Sequence, residues 1–274
     1  MMNAIAQVRT PWQITKASIY ALIIRNLELR FIMNSSKKRA LDLLRIFFEP
    51  VGHVLLWTVM KVFRYQGLDD GVCPQLFILL GVLPWLFTYN TIYACVAIVS
   101  HNRGLLFFKQ IKPMDPVIAL LLSELGTMAL VFCSGLLLFS VWGTQWHIQD
   151  PLRWFMAICI YVVFVAGFAW FIATVGFFSK YIPQFFRVVL RVLYLFSGIF
   201  FSAQMVSPDL RPYFVINPLF QIIEISRECF SNTPNYNGYG DVYYLFECAI
   251  MALALGLGCY VLLRKKMMRE IMEH

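Results

Sequence analysis

Apolar residues gather in six runs, at roughly residues 44–64, 76–99, 117–142, 153–178, 188–206 and 242–263, and the charged residues fall largely in the gaps between them. A helix needs ~20 apolar residues to cross ~30 Å of hydrocarbon, and each run reaches or approaches that length. The pattern predicts an all-α integral membrane protein with six transmembrane helices. Residues 11–32, ahead of the first run, carry Tyr20, Ile23 or Ile24, Leu27 and Phe31 at helical spacing, interrupted by Lys16, Arg25, Glu28 and Arg30. That stretch is too charged to span. It reads as an amphipathic helix in the membrane interface or as a helix packed on the cytoplasmic surface.

Two of the gaps have structure of their own. Between the second and third runs, residues 102–112 predict an amphipathic helix of about two turns, with Leu105, Leu106, Phe107, Phe108 and Ile111 set among Arg103, Lys109 and Lys112. Pro113 stops it and Pro116 starts the next span. An apolar-faced helix in a loop suits either docking to a partner or lying on the membrane as a connector. Between the fifth and sixth runs, residues 207–241 hold the second device. Asn217-Pro218 predicts a helix start, and Pro218–Phe230 is long enough for about three turns. Leu219, Phe220, Ile222, Ile223 and Ile225 are too apolar for a free loop, while Glu224, Arg227 and Glu228 form a charged strip at i, i+3, i+4. A half-inserted re-entrant helical hairpin fits both facts, with 231–241 as turn material.

Charge then orients the chain. Sixteen Lys and Arg fall in the N-terminal tail, the loops after the second and fourth runs and the C-terminal tail, against five in the alternate gaps. The positive-inside rule places both termini in the cytoplasm. With 60% hydrophobic and only 14% charged residues among 274, no sizeable aqueous domain is left over, and 1–274 reads as one transmembrane domain. The formal net charge of +8 therefore faces anionic lipid headgroups rather than nucleic acid.

Candidate chemistry is sparse. There is no GxxxxGK[ST], HExxH or GxSxG, and the seven cysteines show no CxxC or Cys/His spacing. Catalytic residues, a bound cofactor and a metal site are accordingly not expected on this chain. Cys73 and Cys229 share the outer side and have the option of pairing. Ionisable groups within spans normally face protein or a water-filled cavity. Arg45, Glu49 and His53 make one stripe at i, i+4, i+8; Glu124 and Arg191 lie at comparable depth, so that Glu124 has Arg191 or Arg45 as a partner.

The arrangement of these parts resembles the ABC-2 type exporter permeases. Glu49-Pro-Val-Gly-His53 in the first run and Asn217-Pro-Leu-Phe-Gln-Ile-Ile-Glu-Ile-Ser-Arg227 in the outer hairpin are similar to the KpsM branch, over about residues 11–266. The resemblance implies a permease subunit in the bacterial inner membrane, moving a lipid-linked acidic capsular polysaccharide from cytoplasm to periplasm. Related branches carry O-antigen, teichoic acid or another lipid-linked glycan. It further implies a homodimer and two KpsT-like ATPase subunits, which hold the ATP and Mg. Periplasmic co-polymerase and outer-membrane export proteins would receive the polymer.

Residues 102–112 match the family's ATPase-coupling helix, giving Arg103, Leu105, Leu106, Phe107, Phe108, Lys109 and Ile111 that role. A sliding polysaccharide needs weak, repeated contacts, and aromatic faces stack on sugar C–H surfaces. Candidate channel residues are Phe48, Trp57, Trp85, Tyr194, Phe200 and Phe201, with Arg45, Arg187 and Arg191 at the cytoplasmic mouth and Glu49 and His53 beside them. Asn217, Pro218, Glu224 and Arg227 shape the re-entrant loop. Two remoter readings remain: a membrane-embedded transferase, for which only the Arg45/Glu49/His53 stripe is offered, and an ion-driven transporter, which would need Glu124 to titrate with transport.

Overall fold

A computed structural model describes residues 10–32, 51–52, 56, 59, 72–108, 110–179, 181–231 and 238–273. Within them the chain is helical, without strands. In order, α1 is Pro11–Ile32, α2 Pro74–His101, α3 Arg103–Leu106, α4 Asp115–Val141, α5 Pro151–Phe178, α6 Ile182–Phe196, α7 Arg211–Val215, α8 Pro218–Phe230 and α9 Val242–Glu273. Among the described residues, α2, α4, α5 and α9 are long and apolar enough to cross a membrane. The run at 44–64 lies almost wholly outside them.

Starts and stops follow local chemistry. Pro occupies the first turn of α2, α4, α5, α6 and α8, where a missing N–H costs nothing. Asp150 accepts from the Arg153 backbone N–H at 3.0 Å and caps α5. In the same way the Asn217 carboxamide accepts from the Leu219 N–H at 3.0 Å and starts α8.

α2 is the buried centre, its apolar residues enclosed on nearly every side. α4 and α5 both pack along it, α1 lies along α4, and α9 runs against α5 over most of their shared length. That last pairing is close because both helices present glycine. A Cβ on Gly256 would stand 2.1 Å from the Gly167 carbonyl oxygen, and one on Gly167 would stand 2.4 Å from the Leu253 nitrogen. Small residues that let backbones touch are the usual device for holding helices together in lipid, where no hydrophobic force does so.

Two sequence expectations need correction, and one open option is closed. The run at 188–206 is not one helix. α6 ends at Phe196, so its 15 residues rise only about 22 Å, short of a full crossing. Gly198 takes φ +74, a left-handed conformation that stops the helix, and a 3-10 turn at Ala203–Met205 follows. The segment expected at 102–112 is helical only over Arg103–Leu106, then passes into turns. Cys73 and Cys229 are free thiols, as are the other five cysteines.

Candidate functional site

Three clusters concentrate the polar and aromatic chemistry. The first joins α1, the end of α2 and the segment that follows. Asn102 closes α2, and its amide donates to the Ile98 carbonyl at 2.6 Å while its oxygen accepts from the Arg25 guanidinium of α1. Leu106 is 2% exposed and anchors the short α3 turn, whereas Phe107 and Phe108 stand 54% and 62% exposed. Ile111 is half-buried against the core. The Arg103 guanidinium lies over the Phe177 ring at 5.3 Å, and the Lys266 ammonium of α9 over Phe178 at 5.2 Å. A cavity of about 630 Å³ opens between α1 and this segment, bounded by Ile14, Ala17, Ala21, Arg25, Leu105 and Phe108. Lys109 lies outside the described residues.

The second cluster is an aromatic ladder. Trp85 stacks on Tyr89 at 5.0 Å between centroids, and Tyr89 on Tyr93 at 5.7 Å. From the other side Tyr194 meets Trp85 at 4.4 Å and Phe200 at 5.1 Å. Trp85, Tyr89 and Tyr93 follow one face of α2 at i, i+4, i+8, which is why they rise as steps. Tyr93 is exposed at the end of the ladder. Phe201 belongs to a neighbouring group with Phe214, at 5.2 Å, and Phe220, at 6.3 Å. Trp85, Tyr194, Phe200 and Phe201 are among the candidate channel residues of the sequence; Tyr89 and Tyr93 are not, although both stand at helical i+4 spacing in line with Trp85.

The third cluster holds the irregular backbone after α6. Arg227 was expected on a charged strip with Glu224 and Glu228. Instead Arg227 and Glu224 are both 0% exposed and lie 3.3 Å apart. The Arg227 guanidinium donates to the carbonyls of Ile199 and Phe201, each at 2.9 Å, and to that of Phe77 at 3.4 Å. It also sits 3.4 Å over the Phe77 ring. The physical reason is the break at Gly198. Carbonyls released from a helix inside a packed bundle need donors, and a guanidinium carries five in a fixed fork. Glu228 leaves the strip as well, pairing at 2.9 Å with Arg153 of α5. Arg211 secures the next stretch, donating to Ala203 O at 3.0 Å and Val206 O at 3.1 Å, with its guanidinium 4.4 Å over the Tyr239 ring. Neither clamp could be read beforehand, since the carbonyls involved carry no side-chain signature.

Arg191 is exposed on α6, one turn after Arg187. Glu124 is fully buried in α4. Arg45, Phe48, Glu49, His53 and Trp57 lie outside the described residues. Among the described residues no group of three His, Cys, Asp or Glu is placed to hold a metal ion.

No family model matches the chain. Among individual proteins, the polysialic acid transport protein KpsM of Escherichia coli is 26% identical over 258 residues, covering 92% of this chain and 95% of KpsM. The capsule polysaccharide export inner-membrane protein CtrC of Neisseria meningitidis serogroup B is 22% identical over 253 residues, covering 89% of this chain and 90% of CtrC. CtrC from serogroup A of the same species is 24% identical over 250 residues. Each of these likenesses covers about nine-tenths of this chain and of the relative, so the chain is similar to KpsM and CtrC over nearly its whole length.

Proposed function

We propose that this chain is the transmembrane permease subunit of an ATP-driven exporter that carries lipid-linked capsular polysaccharide from cytoplasm to periplasm across the bacterial inner membrane. The observation that carries the reading is the similarity, over about nine-tenths of the chain, to KpsM and CtrC, named for polysialic acid transport and for capsule polysaccharide export at the inner membrane. The partition of basic residues supports both termini inside; the fifth crossing is then shared by α6 and the covered segment after Gly198, with α1 in the interface and α8 as a re-entrant element. Two copies of the chain, two KpsT-like ATPases that bind ATP and Mg, and periplasmic and outer-membrane export proteins complete the assembly.

In this reading the ATPases press on the exposed rings of Phe107 and Phe108, the second of which borders the cavity beside α1. Only Asn102 separates α3 from α2, so the push passes directly into a rod of 28 residues, about 42 Å long. The same rod carries the aromatic ladder at Trp85–Tyr93 and meets Arg227 at Phe77. Movement of α2 thus shifts the stacking faces for sugar rings together with the clamped segment after α6. Arg187 and Arg191 supply positive charge for an acidic glycan or a lipid phosphate at the cytoplasmic mouth.

Affinity purification of the chain from its host tests the assembly. An ATPase should co-purify, and its hydrolysis should rise when the two are reconstituted in lipid. Purification without any ATPase, or hydrolysis indifferent to this chain, refutes the proposal.

A further inference from the structure

α4 and α5 are consecutive helices joined by a short loop, yet each packs along α2 and they barely touch one another. Between them lies a cavity of about 190 Å³. Its mouth is formed by Leu125, Ala129 and Phe132 of α4 with Ile158 and Val162 of α5, all half-buried or exposed. Its floor is Leu80, Leu83, Pro84 and Phe87 of α2, with Ile222 and Ser226 of α8 at one end. Directly outside the mouth, both helices present large apolar side chains: Leu130 and Leu137 are 63% and 68% exposed, and Phe155 and Met156 stand out from α5.

The lining excludes a polar occupant. Its side chains bring only three nitrogen or oxygen atoms, and each already has a protein partner. The Trp154 indole N–H donates to Ser226 Oγ at 3.2 Å, Ser226 Oγ–H donates to the Ile222 carbonyl at 2.7 Å, and the Tyr161 hydroxyl pairs with Thr88 Oγ1. A water entering here would find no group in need of it, and buried water requires two to four polar partners. Leaving the space empty forfeits dispersion contacts along every wall. Apolar cavities of ~150 Å³ take up hydrocarbons as large as benzene, so this volume is ample for a stretch of methylene chain.

We infer that the α4–α5 gap is a lipid site, holding part of an acyl chain of a bilayer phospholipid that enters sideways between the two helices. The inference rests on the membrane placement of α4 and α5, not on the exporter reading. The occupant is bulk lipid because the mouth is continuous with the apolar outer surface of the same two helices. The chain fills the space that α4 leaves by packing on α2, and it touches α8 through Ile222.

The full chain, reconstituted in phosphatidylcholine nanodiscs with a trace of phosphatidylcholine bearing a diazirine along one acyl chain, is irradiated, digested and mapped by mass spectrometry. Label should appear at Phe132, Ile158 and Val162 at a level comparable to Leu137, the lipid-facing reference on α4. Ala129→Trp, which fills the mouth, should reduce label at Phe132 and Ile158 at least fivefold and leave Leu137 unchanged. Wild-type label at Leu137 with tenfold less at Phe132 and Ile158 overturns the site, whatever the variant does. Label absent from Leu137 as well would overturn the membrane placement and the lipid site with it.

Discussion

Replacing Arg227 with alanine is the most informative single perturbation, because one fully buried side chain serves four acceptors and a ring. Two losses dominate. Breaking the 3.3 Å pair with the equally buried Glu224 removes the compensation for a charge in a low-dielectric site, which costs about 3–5 kcal/mol. Withdrawing the donor from the Ile199 and Phe201 carbonyls, both at 2.9 Å, adds roughly 1–3 kcal/mol for each acceptor left unsatisfied. Neighbouring losses do not add in full, so about 5 kcal/mol is a fair net figure.

At ~2–4 °C per kcal/mol for a chain approaching this size, the thermal midpoint of detergent-purified protein should fall by roughly 10 °C or more. Arg227→Lys keeps the charge but replaces a planar fork with a single ammonium, and should recover less than half of the loss. A double-mutant cycle with Glu224→Gln separates the pair from the carbonyls: coupling of about 1–3 kcal/mol is expected, with the remainder independent of Glu224. A midpoint within about 3 °C of wild type for Arg227→Ala would refute the clamp.

Three further outcomes follow from the same geometry. Phe107→Asp with Phe108→Asp places two charges on an exposed apolar patch without touching the core; export should stop while the protein stays in the membrane at normal level, and unchanged surface polysaccharide would exclude docking there. Tyr89→Ala with Tyr93→Ala removes two steps of the ladder; export rate should drop severalfold while the thermal midpoint moves little, and loss of stability without loss of rate would make the ladder a packing feature only. Arg191→Ala should impair export more than Arg264→Ala, an exposed cation on the tail of α9; equal effects would remove Arg191 from the mouth.

What could be read in advance divides along physical lines. The helices at 74–101, 115–141 and 151–178 and the apolar 242–263 part of α9 declare themselves by sustained apolar composition, and α8 by Asn217-Pro218, because both signals are local; the charged last ten residues of α9 continue the helix beyond the apolar run. The run at 188–206 misleads for the same reason. Apolar composition reports burial, and burial is shared by a helix and by the covered coil that Gly198 begins, so hydropathy could not tell them apart. Glu224, Arg227 and Glu228 mimic a solvated strip at i, i+3, i+4. Their true partners include the Phe77 carbonyl, 150 residues away, which only the assembled bundle brings near. The aromatic ladder is half legible, since Tyr89 and Tyr93 obey the spacing of Trp85 while Tyr194 arrives from α6 and Phe200 from the segment after it.

Deleting the gene for this chain in its own host, then measuring polysaccharide inside the cell and on its surface, is the direct test of capsule export. Polymer should still be synthesised, accumulate in the cytoplasm on its lipid and disappear from the surface. A deletion strain with unchanged surface polysaccharide and no internal accumulation would contradict the assignment.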